Sequence, residues 1–245
     1  YSTNVGKDIG ASIAEQASTV MEQAVTDLSE YSGNELDEAD IMDLNYRYDD
    51  NLIVIYEQLA KENADNDTVA SGYYSMAIGY CEDYIGILKM KVDEDDSITL
   101  GGTSVNAYNQ SYYNKMMTEA RCYDAQGKTD DALAVYEEAE KVFGTDNEWS
   151  DNVYAEHLDY LYRLCEAKEQ DPRLWPTKIP DLTRQLVQVY DNGANVSGID
   201  SNKTWYKRKD TLQMLKDGNY DAAEEEGTQT QDETSEDAQS AEMGE

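Results

Sequence analysis

The sequence has little from which a metal site or a disulfide framework could be built. It contains one histidine, His157, and only three cysteines in 245 residues. A single histidine excludes a metal site with several histidine ligands within this chain. Cys81, Cys122 and Cys165 are odd in number and far apart, and none belongs to a Cys-x-x-Cys pair. We therefore predict three buried free thiols and no disulfide framework.

Long apolar runs and basic residues are also scarce. No run of about eighteen apolar residues occurs and no basic segment precedes an apolar one, so neither a membrane span nor a signal peptide is predicted within the chain. The chain has only 19 lysines and arginines but 52 aspartates and glutamates, which gives a formal net charge of −33. The negative electrostatic field of such a chain repels nucleic acid and attracts basic partners. The alternative is that the charge serves solubility alone.

Sequence signatures of catalysis are missing. No phosphate-binding loop, HExxH or GxGxxG segment occurs. His157 lies with Tyr154 and Leu161 at the edge of an apolar face, which favours packing over a role as a catalytic base. The acidic run DEDDS at 93–97 lacks the glycine and final glutamate of a calcium loop, and we interpret it as a solvated turn. We therefore predict no enzyme activity, no metal and no cofactor.

Apolar residues recur every three or four positions along most of the chain, which is the spacing of one helix face. The first predicted helix carries Ile9, Ile13, Ala17, Val20, Ala24 and Leu28 on its apolar face. Further helices are predicted at about 38–61, 67–91, on both sides of Gly127, at about 148–167, from Pro180 to a break at 191–198, and on both sides of Gly218. No convincing strand is found, so the pattern predicts an all-α fold with antiparallel neighbours.

Three segments are predicted to lie outside the helices. The polar run DEDDSITLGG at 93–102 is interpreted as a loop, and EQDPRLWPTKIP at 169–180 as a non-helical connector because of its prolines. The segment 227–245 has almost no large apolar residue, which predicts a disordered acidic tail. The expected organisation is an N-terminal helical region at 1–100, a helical repeat region at 101–226, and this tail.

The segment EARCYDAQGKTDDALAVYEEA at 119–139 contains two amphipathic runs joined by a glycine turn. Small residues at a helix crossing and large ones beside it allow two helices to approach closely. The segment resembles a tetratricopeptide repeat at Ala120, Tyr123, Gly127, Ala132, Tyr136 and Ala139. It departs from that pattern at Glu119, where leucine is expected, and at Gly144, where proline is expected. A generic helical bundle stays open as an alternative.

A weaker copy of the same pattern lies near the C-terminus, with Gly218, Tyr220 and Ala223 as the turn and the small contact. The resemblance covers about 106–143 and, less specifically, 203–226. It implies antiparallel hairpins stacked as a tetratricopeptide-like superhelix.

The resemblance also implies a binding face, because the first helix of each repeat lines the concave surface that holds partner segments. Carried onto this chain, those positions are Asn114, Met117, Arg121, Asp124, Trp205 and Arg208. Arg121 and Arg208 would hold a partner carboxylate by paired hydrogen bonds. The alternative for both arginines is a surface ion pair within the chain.

The predicted function is a non-catalytic protein-interaction module whose partner is a protein or peptide of basic character. Composition, together with a chain that begins at Tyr1, adds the expectation of an extracytoplasmic region of a membrane-anchored bacterial protein, such as the sensor of a receptor-type Ser/Thr kinase, with its anchor upstream. A cytoplasmic location is the alternative.

A different class of function is glycan binding, in which Trp149, Trp175 or Trp205 would stack on sugars.

Overall fold

The computed structural model describes residues 7–33, 35–100, 103–196 and 208–218, and these residues are mostly helical. The longer helices are α1 (Lys7–Ser29), α2 (Glu38–Glu62), α3 (Asp67–Lys91), α4 (Gln110–Ala125), α5 (Thr129–Phe143), α6 (Ser150–Lys168), α8 (Pro180–Gly193) and α9 (Lys209–Asp217), with a short α7 (Trp175–Lys178). The all-α character predicted from the periodicity is thus confirmed for the described residues. The predicted tail at 227–245 lies outside them.

A β-hairpin occupies part of the segment predicted to be a loop, so that prediction was wrong. Strand β1 (Ser97–Leu100) pairs antiparallel with β2 (Thr103–Asn106), and Ile98 lies opposite Val105. The β-branched residues of this short run favour a strand, and Ile98 is buried. The Asp93 carboxylate accepts hydrogen bonds from the backbone and the hydroxyl group of Ser97. The acidic residues therefore form the turn that leads into the hairpin.

The proline-rich connector is partly helical, which also differs from the prediction. A 3₁₀ turn spans Pro172–Leu174, α7 follows directly, and Pro180 begins α8. Each proline stands in the first turn of its helical piece, where no backbone N–H is needed for the helix. The prolines therefore divide the segment into short helical pieces without preventing helix formation.

The described residues form two compact units. The first contains 7–153 and Val196, and the second contains 154–195 and 208–218. The boundary predicted near residue 100 falls within the first unit, where α3 packs against α4. In this unit α1 packs on α2, α2 on α3, α3 on α4 and α4 on α5, so the helices follow one another in space in chain order.

Helix α1 is attached to the first unit by a different face from the predicted one. Val20 is 70% exposed and Ile13 45% exposed, whereas Ala14 and Ser18 are buried. The face of α1 that packs carries Ala14, Met21 and Val25, which contact the buried cluster around Leu52 of α2. Beside this face, Tyr56 and Tyr80 both donate to the Glu22 carboxylate. Tyr73 donates in the same way to Glu15, at 3.0 Å. Apolar contacts and hydrogen bonds from neutral phenol groups together hold α1 against α2 and α3.

The second unit is built around Trp175. Its side chain is completely buried, and its indole N–H donates to the backbone carbonyl of Glu169 at 2.6 Å. The edge of the ring meets Tyr162, with the two ring centroids 5.0 Å apart. On the same side of α6, Arg208 forms an ion pair with Asp159 at 2.7 Å. A residue of the proline-rich connector is therefore a central core residue of this unit.

The three cysteines are free and completely buried, as predicted. Burial is the main cause that raises the pKa of the Cys122 and Cys165 thiols to about 12. We therefore expect the folded protein to react slowly with a thiol reagent at pH 8, and protein in concentrated guanidinium chloride to react fully. The absorbance of the released chromophore gives both rates. Rapid reaction of any one thiol in the folded protein would contradict its burial.

Candidate binding groove

Helices α4 and α5 form the antiparallel hairpin predicted from the alanine and tyrosine pattern. Gly127 turns the chain with a φ of 71°, a left-handed conformation that favours glycine. Its N–H donates to the carbonyl of Asp124 at 2.8 Å, and the Lys128 N–H donates to that of Tyr123 at 2.9 Å. Ala120 and Ala132 are completely buried at the crossing. Small residues thus let the two helices approach closely.

Contacts near both ends of α4 fix it against the preceding helices. At its C-terminal end, the Gln126 side-chain amide donates to the carbonyl of Ser71 and to the hydroxyl of Ser75, each at 2.8 Å. Nearer its N-terminus, the Lys115 ammonium is paired with Asp50 and lies over the Tyr84 ring, 5.1 Å from its centroid. These contacts hold α4 against α2 and α3, and the turn at Gly127 connects α4 to α5.

A groove of about 380 Å³ lies among these three helices. Its floor is apolar and is formed by Ile85 of α3, Met116 of α4 and Val135 of α5. Gly86 and Ala134 border the same space with small side chains. Its volume lies in the range typical of ligand pockets, which is enough for a few side chains of a partner. We call this feature the α3–α5 groove.

Carboxylates dominate the charged lining of the α3–α5 groove. Glu82 is contributed by α3, Glu119 by α4, and Asp131 and Glu138 by α5, whereas Lys89 is the only basic residue among the described residues that line it. Burial, and next the charge of Glu82, raise the pKa of Glu119 to about 7, while Lys89 lowers it. The groove therefore combines an apolar floor with a negative potential that one lysine does not balance.

The predicted binding residues of α4 lie on a different face from the groove. Met117 is only 1% exposed, so its side chain belongs to the core and offers no surface to a partner. Asn114 and Arg121 are exposed, and Arg121 donates to the Thr118 hydroxyl at 2.8 Å. Asp124 is half-buried near the end of the helix. None of these four residues lines the α3–α5 groove.

The groove residues of α4 are Met116, Glu119 and Tyr123. They are spaced three and four residues apart, as the predicted residues are, but they lie on an adjacent face of the helix. The residues predicted from the repeat-like pattern and the groove residues thus belong to the same helix but to different faces of it. The α3 residues of the groove could be found only by knowing which side of α3 packs on α4, and no motif in the sequence gives that pairing.

The remaining predicted binding residues lie in the second unit or outside the described residues. Arg208 pairs with Asp159 and lies over the Tyr162 ring, 4.1 Å from its centroid, so it forms the ion pair that was the alternative prediction. Trp205 falls outside the described residues. Of the tryptophans considered for sugar stacking, Trp175 is completely buried, and Trp149 is stacked on Tyr113 with centroids 5.3 Å apart.

Other candidate sites contribute little. His157 is 3% exposed, which agrees with a packing role. Within the described part of the chain, no group of three or more histidine, cysteine or carboxylate side chains is arranged to hold a metal ion. Over the same residues, no helix combines the length and the apolar character needed to cross a bilayer.

Comparison of the chain with protein-family models, with curated proteins and with solved structures finds no match. The assignment of a function therefore depends on the geometry and the electrostatics of the α3–α5 groove.

Proposed function

We propose that the chain is a non-catalytic protein-interaction module, tetratricopeptide-like in its helical hairpins, and that its α3–α5 groove receives a segment of a partner protein. The segment carries a lysine or arginine among apolar residues. The observation that supports this most directly is the combination of an apolar floor with four carboxylates and a single lysine around it.

The apolar floor favours a peptide segment over a small polyvalent cation. Ile85, Met116 and Val135 present carbon atoms to the groove, and covering them releases water from apolar surface. A polyamine offers charge but little branched apolar surface for this floor. A leucine or valine next to a basic residue offers both, so a protein segment is the occupant that fits.

Charge complementarity accounts for the basic residue of the proposed segment. The net charge of −33 attracts any basic molecule, but a field of this kind acts mainly on the rate of encounter and on salt dependence. Carboxylates next to a low-dielectric floor act at close range and are screened less by salt. Binding of a basic side chain in the groove is therefore less sensitive to salt than binding of one to the exposed acidic surface.

A random twelve-residue peptide library displayed on phage and selected against the full chain tests this function. We expect the enriched peptides to share a lysine or arginine flanked by apolar residues, and their synthetic forms to bind in the micromolar range by calorimetry. The matched peptides with norleucine for lysine or citrulline for arginine should bind at least about tenfold more weakly. Enrichment of acidic peptides, or no enrichment, would contradict the proposal.

Occlusion of the groove tests where these peptides bind. Ala134 is exposed at the groove, so Ala134→Arg places a guanidinium group among its carboxylates. We expect this variant to lose at least about tenfold in affinity because its own cation competes with the peptide. Ala167→Arg adds the same charge at an exposed position of α6 and should bind like the wild type. Equal losses in the two variants would indicate only non-specific attraction.

A further inference from the structure

Glu119 occupies a distinct position among the carboxylates of the α3–α5 groove. It lies on the central helix, whereas Glu82 lies on α3 and Asp131 and Glu138 lie on α5. Its side chain is half-buried, as is that of Glu138, while those of Glu82 and Asp131 are exposed. A carboxylate at this position is desolvated more than those at the edges, so a cation that reaches it gains more from the interaction.

The Glu119 carboxyl group accepts no hydrogen bond from any residue that the structure describes. Four charged groups line the groove with it, namely Glu82 and Lys89 of α3 and Asp131 and Glu138 of α5, together with the neutral Tyr123 of its own helix. Lys89 is exposed and acts on Glu119 only through its charge. A half-buried carboxyl group without a partner is costly when ionised, and an incoming cation removes this cost.

Resting on the proposed function, we infer that Glu119 is the residue that receives the basic side chain of the partner, and that docking requires its carboxyl group to be ionised. The protonated carboxyl group still fits the groove, but it offers the partner a neutral group in place of a charge. The groove is then a site whose occupancy is set by pH as well as by the partner. Lys89, at the edge, competes weakly with the partner's cation for the same carboxylate.

The direction of the pH dependence follows from the burial of Glu119. Because burial and the neighbouring Glu82 raise its pKa to about 7, the carboxyl group is mostly protonated at pH 6 and mostly ionised at pH 8. At pH 6 the partner binds only after the proton has left. We expect the affinity for a lysine-containing peptide to fall about tenfold between pH 8 and pH 6, with about one proton released on binding at pH 6.

Calorimetry of the full chain with a selected lysine peptide tests the inference, in buffers of different ionisation enthalpy so that proton release is counted. Glu119→Gln should weaken binding at pH 8 by about tenfold or more and abolish both the proton release and the loss of affinity at pH 6. Circular dichroism checks that the variant is folded, and its isosteric neutral side chain should fit the same space.

Three further variants separate this role from a general effect of charge. Glu138→Gln removes one charge from the same groove and Glu137→Gln removes one from the exposed face of α5, and both should keep the proton release at pH 6. Glu82→Gln should move the pH midpoint of binding downward, because Glu82 raises the pKa of Glu119. Lys89→Met should tighten binding at pH 8, because it removes the competing cation, and should move the pH midpoint of binding upward, because Lys89 lowers the pKa of Glu119.

The outcomes distinguish the inference from the function on which it rests. Peptide binding that Ala134→Arg blocks but that is independent of pH, or unchanged in Glu119→Gln, overturns the inference and leaves the groove as the docking site. An equal loss in Glu137→Gln and Glu119→Gln also overturns it, because the effect would then be that of net charge. Absence of peptide binding at both pH values overturns the inference and the proposed function together.

Discussion

Replacing Trp175 with alanine is expected to lower the free energy of unfolding of the second unit by about 3–5 kcal/mol. The side chain is completely buried, its ring edge meets Tyr162, and its indole N–H satisfies the carbonyl of Glu169. Truncation removes these contacts, leaves a cavity, and removes the donor from a carbonyl group. Denaturant unfolding followed by circular dichroism measures the loss, and hydrogen exchange read by mass spectrometry should locate lost protection in α6 and α8.

Two control variants make this prediction specific. Trp175→Phe keeps most of the apolar volume and loses the hydrogen bond, so we expect a loss of about 1–2 kcal/mol. Leu174→Ala changes the preceding residue, which is 41% exposed, and should be nearly neutral. A loss below about 1 kcal/mol for Trp175→Ala would contradict the central place of this residue in the core.

Replacing Asp49 with asparagine is expected to stabilise the protein at pH 8 by roughly 1–3 kcal/mol. Asp49 of α2 is 4% exposed, and its pKa is raised to about 7, mainly by burial and next by the charge of Asp83. Above that pH the folded protein must hold a poorly solvated charge next to another of the same sign. Asparagine keeps the shape of the side chain and removes the charge. Denaturant midpoints at several pH values measure the difference.

The sign of the pH dependence follows from the same values. The pKa of Asp49 in the folded state lies above its ordinary value of 3.8. Between about pH 4 and pH 7 the folded state therefore keeps a proton on this carboxyl group that the unfolded state has lost. Its contribution to the free energy of unfolding therefore falls as the pH rises from about 4 to about 7. The advantage of Asp49→Asn should vanish near pH 4, and a constant advantage at every pH would contradict this cause.

The neighbouring residue provides a control of opposite sign. Asp50 is paired with Lys115, whose side chain is only 10% exposed. Asp50→Asn removes the partner of a nearly buried ammonium group and should destabilise the protein at pH 8. Two adjacent aspartates of one helix are thus expected to respond in opposite directions to the same substitution.

Most of the helices could be predicted from spacing alone, because an apolar stripe at three and four residues is a local property. For α3 the predicted range 67–91 agrees with the structure, where Asn66 caps the first turn through its side chain. The β-hairpin was missed because the four acidic residues at 93–96 were given more weight than the short β-branched run that follows them. The burial of Trp175 was missed because three prolines were taken as evidence of an irregular connector.

The groove could not be predicted for a different reason. Glu82, Glu119 and Glu138 are three of 52 acidic residues, and nothing local separates them from the others. Their grouping depends on the rotation of α3 about its axis and on its pairing with α4, which tertiary packing decides. The repeat-like alanines predicted the crossing of α4 and α5 but carried no information on the neighbouring α3.

The phenol groups that bind the glutamates of α1 show one use of tyrosine in a chain that has twenty tyrosines and a single phenylalanine. Glu15 and Glu22 accept hydrogen bonds from Tyr73, Tyr56 and Tyr80, and no arginine or lysine that the structure describes forms an ion pair with either carboxylate. In a chain with few basic residues, the tyrosine hydroxyl donates the hydrogen bonds to carboxylates that arginine donates in other proteins. The tyrosine ring also packs as an apolar group in the interior. The composition can therefore stay strongly acidic while helices that carry glutamate beside their packed face still assemble.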